Sequence, residues 1–126
     1  MRAVFILVVV VYLATRMTGT SAAPTELDPQ NPPVLEPGEQ CQSVIVNAAM
    51  PIWPKNALRD GTVGWSIVRY DLDGGGRAQN REVVSSAPEY VFDKASLDSI
   101  ARSKFINGFI KQGCKAIFVY SQKASN

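Results

Sequence analysis

Val63, Trp65 and Ile67 alternate with Thr62, Gly64 and Ser66 within residues 60–88, D-G-T-V-G-W-S-I-V-R-Y-D-L-D-G-G-G-R-A-Q-N-R-E-V-V-S-S-A-P. A period of two sets the large apolar side chains on one face of a pleated strand, and that face needs a cover. Asp73, Gly74, Gly75 and Gly76 then supply residues that reach positive φ at little cost. The chain can therefore reverse and lay a second strand, about 78–85, beside the first. This hairpin is the organising element. Helices on either side of it are expected to cover the Trp65 face.

The flanking segments carry the signals of such helices. Pro54 suits the first position of a short helix over about 54–59, and Gly61 suits the position just past its end. That helix is expected to turn Ala57 and Leu58 onto the hairpin. Asp93 is a good N-cap for a longer helix through about Lys104, in which Leu97, Ile100, Ala101 and Phe105 form an apolar stripe, with Asn107 and Gly108 ending it. Residues 115–121, K-A-I-F-V-Y-S, form a β-branched and aromatic run of strand length. Residues 43–49 read as a brief edge strand or an extended lead-in. The fold class is α+β, a small antiparallel three-stranded sheet with two helices packed on one face.

The chain has 126 residues, enough for one small domain with appendages. Residues 1–22 hold a short apolar run followed by small residues. They read as a signal peptide cut near Ala22 or Ala23, or as a short anchor. Residues 23–40 contain five prolines (Pro24, Pro29, Pro32, Pro33, Pro37) and four acids (Glu26, Asp28, Glu36, Glu39). They read as a Pro-rich acidic linker with almost nothing to bury, reaching about 50 Å at ~3 Å per residue. The domain is expected over 41–126.

Of the chain's 13 basic residues, Arg2 and Arg16 fall in the leader, so the remainder is close to neutral against 11 acids. No aromatic and basic ladder accompanies this balance, and nucleic-acid binding is not expected. Cys41 and Cys114 are the only cysteines, and in an exported chain they are expected to be bonded. The sequence leaves open whether the bond lies within one chain or between two, and two buried free thiols are the other reading. There is no histidine. Neither a zinc set nor a Ser85 or Ser86 nucleophile has its partners, so no metal, cofactor or catalytic site is expected.

W-P at 53–54 with A-L at 57–58, G-x-V at 61–63, the glycine turn followed by Arg77, V-V-S-S-A-P at 83–88 and F-D-K-A-S-L at 92–97 recur in one order. Together they resemble the TonB C-terminal domain over about residues 50–120. The resemblance implies a periplasmic domain of a Gram-negative bacterium, which docks on TonB-dependent outer-membrane receptors in energy-coupled uptake of siderophores and other nutrients. It further implies that a receptor peptide, the TonB box, adds as a strand beside the last strand of the domain, while an inner-membrane proton-driven complex supplies energy.

Carried over by position, Ile117, Phe118, Val119 and Tyr120 match the receptor-pairing strand, and Trp53 and Pro54 match the aromatic-proline pair. Strand addition to an open edge is a general mode of recognition, which makes the backbone edge the sharp part of this expectation. The side chains have a plainer reading as packing residues, with one alternate pair of the strand facing the helices. A second reading of the whole chain is a disulfide-stapled secreted scaffold whose last edge is covered by a partner or by a second copy, since an open edge can pair with itself to give a homodimer.

Overall fold

A computed structural model describes residues 27–121 of the chain. The expected leader, 1–22, lies outside the described residues, as do the first four residues of the expected linker.

Among the described residues, five strands and two α-helices follow in order: β1 (Ile45–Asn47), α1 (Lys55–Asp60), β2 (Gly64–Asp73), β3 (Ala78–Ala87), α2 (Asp93–Arg102), β4 (Lys104–Phe105) and β5 (Ile110–Tyr120). The main sheet has the order β3-β2-β5 and is antiparallel throughout. A second, two-stranded sheet pairs β1 with β4. The α+β class and three-stranded sheet are as the sequence predicts, and the β1–β4 pair is an addition. Residues 43–49 thus enter a strand, though its partner is β4.

The local signals bracket the first helix, although Pro54 sits one residue before the expected first position and only Ala57 of the expected pair turns inward. Pro54 stands at its N-cap, and Gly61 closes it in the left-handed region at φ 71°. Ala57 is buried against Phe92, Ala95 and Tyr120, whereas Leu58 is exposed. The hairpin turn is anchored as well as permitted. The Asp73 carboxylate accepts from the Gly75 N–H at 2.9 Å, and the carbonyls of Gly74 and Gly76 accept from Gly108 and Phe105, each at 2.9 Å.

Three expectations need correction. The second helix stops at Arg102, not Lys104: Ser103 is already extended at ψ 151°, the chain turns into β4, and Arg77 donates to the Arg102 carbonyl at 3.3 Å. Its buried face is Ala95, Ser96, Ser99 and Ile100. Leu97 and Ala101 are only half-buried, and Phe105 reaches the core from β4. The serines are buried because each has partners: Ser96 meets Ser66 and Tyr120, and the Ser99 hydroxyl donates to the Ala49 carbonyl at 2.5 Å.

The second correction concerns the cover of the hairpin. Val68, Tyr70 and Leu72 face the helix side, packed with Ile100, Phe105 and the two cysteines. Trp65 and Ile67 face the other way and are covered by Leu35 and Ile117, not by helices.

It follows, third, that residues 27–40 are not an unpacked linker. Leu35 is buried among Trp65, Ile67 and Ala87, and the Trp65 indole donates to the Asp28 carbonyl at 2.8 Å. The segment is a strap on the back of the sheet. Central strand β2 is buried on both faces as a result.

Candidate functional site

The order β3-β2-β5 leaves two edges, and they differ in kind. β3 carries Gln79, Asn80, Arg81 and Glu82 exposed in succession, with Asn80 at φ 52° and two register shifts against β2. Charges and irregular pairing of this sort discourage further strand addition.

β5 is regular over its second half. Its pairing with β2 runs without a shift from Tyr70↔Cys114 to Gly64↔Tyr120. Among the described residues, the one backbone bridge on its outer side joins Gln40 to Lys115 in parallel. The edge from Ala116 to Tyr120 therefore presents a row of backbone donors and acceptors with no described strand beside it.

The side chains of that edge divide by face. Phe118 and Tyr120 face the helices, and Ile117 packs with Leu35 and Trp65 on the back. Val119 is 54% exposed and so remains accessible to a partner. Tyr120 is the best anchored. Its ring stacks on Phe92 at 4.1 Å, and its hydroxyl lies 2.7 Å from Ser96 Oγ. Burial raises the Tyr120 pKa, against the Ser96 hydrogen bond, and nearby Asp93 raises it further.

Trp53 stands edge-on to both rings, 5.8 Å from Phe92 and 5.5 Å from Tyr120. The structure thus brings Trp53 to the end of β5, in a packing role, with Pro54 starting α1 next to it. Gly64 makes this stack possible. It faces Tyr120 across the ladder, and an added Cβ would come within 2.8 Å of the Phe92 ring.

Sequence reasoning missed the contribution of the strap. Near the end of β5, Pro29, Gln30 and Pro32 form one wall of a cleft of about 420 Å³ whose other wall includes Val63, Val119 and Ser121. Farther along, Lys115 pairs with Glu39 at 2.9 Å, and Lys111 donates to the Gly38 carbonyl at 2.8 Å. The Lys115 hydrogen bond, then the Glu36 backbone N–H, hold the Glu39 carboxyl below the usual carboxylate range. Cys41 and Cys114 are bonded within one chain, with Cα atoms 5.7 Å apart, directly beyond this crossing. Both cysteines were legible. The acids and prolines before Cys41 gave no local sign that they fold back.

Comparison with known proteins agrees with this architecture. The family model described as Gram-negative bacterial TonB protein C-terminal matches residues 49–115. The structure of the TonB2 protein from Vibrio anguillarum is similar at TM-score 0.54 and 18% identity, covering 82% of this chain and 95% of that one. The solution structure of the Pseudomonas aeruginosa TonB C-terminal domain is similar at TM-score 0.56 and 21% identity, covering 67% and 92%. At these identities the likeness is one of fold. No curated protein matches the chain.

Proposed function

We propose, since this chain belongs to the TonB C-terminal family of Gram-negative bacteria, that it is a periplasmic binding module for an extended receptor peptide. The peptide adds as a strand to the outer edge of β5, and the receptor is a TonB-dependent outer-membrane protein engaged in nutrient or siderophore uptake. An inner-membrane proton-driven complex is the energy source such docking would serve. The domain binds and does not catalyse.

The observation that carries this reading is the asymmetry of the two edges. β3 is charged and irregular, whereas β5 is regular and apolar from Ala116 to Tyr120 and, among the described residues, has no strand on its outer side. Hydrogen bonds to such an edge give affinity without demanding one sequence, while side-chain pockets give selectivity.

A proline pair tests it. Neighbouring residues of an antiparallel edge strand point their N–H groups alternately inward and outward. Of Phe118→Pro and Val119→Pro, one removes a hydrogen bond to β2 and the other an outward donor. The outward variant is expected to keep its far-ultraviolet circular dichroism and thermal transition but to lose binding to a synthetic N-terminal peptide of a TonB-dependent receptor. Unchanged binding by that folded variant overturns the reading. Loss of self-association instead would favour the scaffold whose edge is closed by a second copy.

A further inference from the structure

The strap crosses the very edge that the proposed peptide would use. Leu35 lies on the back of the sheet with Trp65 and Ile117, whereas Val44 lies on the helix side with Tyr70 and Phe105. Between them the chain passes round β5 at Lys115, where Gln40 makes its bridge. Three side-chain links hold the crossing in place: Glu39 to Lys115, Lys111 to the Gly38 carbonyl, and the Cys41–Cys114 disulfide.

We infer that the strap is a register stop, which limits the incoming strand to the five positions Ala116, Ile117, Phe118, Val119 and Tyr120 and fixes where it begins. This rests on the strand-addition reading above. A peptide that paired beyond Ala116 would have to occupy the place of Gln40, whose backbone is covalently tied one residue later. The open ladder is therefore about 17 Å long at ~3.3 Å per residue. Beyond the crossing β5 offers no regular template either, since Gly113 sits at φ 77° and the register against β2 shifts between Tyr70 and Leu72.

The same strap shapes the other end. Pro29 and Pro32 line the cleft of about 420 Å³ together with Val63 and Val119; its lining mixes apolar and polar surface, and it has room for one large side chain. The partner that fits is a short extended peptide of about five paired residues with an apolar side chain beside Val119. Specificity then lies in length and register as much as in sequence.

The test uses the full chain and capped peptides of alternating valine and threonine, lengthened one residue at a time from about four to about nine residues. For the wild-type protein the affinity should rise to about five paired residues and then change less than about twofold. The variant Glu39→Lys with Cys41→Ala and Cys114→Ala removes two of the three links that hold the crossing, the disulfide among them, and leaves Ala116 to Tyr120 unchanged. In it the affinity should rise further, about two- to tenfold for each backbone hydrogen bond gained at Lys115 and position 114, and level off at about seven paired residues. A wild-type affinity that climbs steadily to the longest peptide overturns the register stop, and needs no variant. So does the same plateau in the folded variant. If the wild-type protein binds none of the peptides or the receptor peptide, the strand-addition reading itself fails.

Discussion

Gly64 is the residue on which the packing at the end of the sheet turns. A Cβ there would lie 2.7 Å from Pro88 Cδ and 2.8 Å from the Phe92 ring, and would also press on the Ala87 carbonyl oxygen. The ring could shift alone, but the carbonyl cannot, because Ala87 is paired with Trp65 in the β2–β3 ladder. Gly64→Ala is therefore expected to cost about 1–3 kcal/mol by overpacking, read as a lower urea midpoint with unchanged slope.

Tyr70 is a second residue with a measurable signature. It is 1% exposed, and burial raises its pKa to about 12. The folded state keeps the phenol protonated where the unfolded chain has begun to lose its proton, so the contribution is complete below about pH 10 and is lost as pH rises toward about 12. Urea midpoints should fall across that window in the wild-type protein and fall less in Tyr70→Phe. Equal slopes for the two would remove Tyr70 as the cause.

The elements show where local signals suffice and where they do not. Pro54 and Gly61 bracket α1 in sequence and in structure, and the glycine turn between β2 and β3 needs only the positive φ that glycine allows. The two faces of β2 were harder. Trp65 and Ile67 look like the face a helix should cover, yet the helix side holds Ser66, Val68 and Tyr70. The reason is that α2 presents Ala95, Ser96 and Ser99, small residues that permit close approach and whose hydroxyls find partners in Ser66, Tyr120 and the Ala49 carbonyl. A stripe of Leu97, Ile100, Ala101 and Phe105 counts apolarity alone and cannot register that trade.

The β5 edge was legible as a strand, and Phe118 and Tyr120 do alternate with Ile117 and Val119. Its boundary was not. That boundary depends on Gln40 and Glu39 meeting Lys115 from 75 residues away in sequence or more, a contact that no local pattern encodes.

At the scale of the whole molecule, the disulfide joins the strap to the sheet it covers. Cys41 and Cys114 are 73 residues apart, so the bond closes a loop that contains both helices and the hairpin. In the chain-entropy account a closure of this length removes freedom from the unfolded state worth about 4 kcal/mol, against a total of ~5–15 kcal/mol for a domain. The folded state should change little when the bond is cut. Both sulfurs sit in the main apolar cluster, where reduced thiols pack as small hydrophobes. The effect therefore belongs mainly to the unfolded chain, and it has two signatures. The urea midpoint of Cys41→Ala with Cys114→Ala should fall by an amount equivalent to about 4 kcal/mol, and the slope should rise because the uncrosslinked chain exposes more surface. A fall of less than about 1 kcal/mol with an unchanged slope would mean that the unfolded chain is already held compact without the bond. The strap would then owe its place to Leu35, the Trp65 hydrogen bond and Glu39, and would detach and return independently of the crosslink.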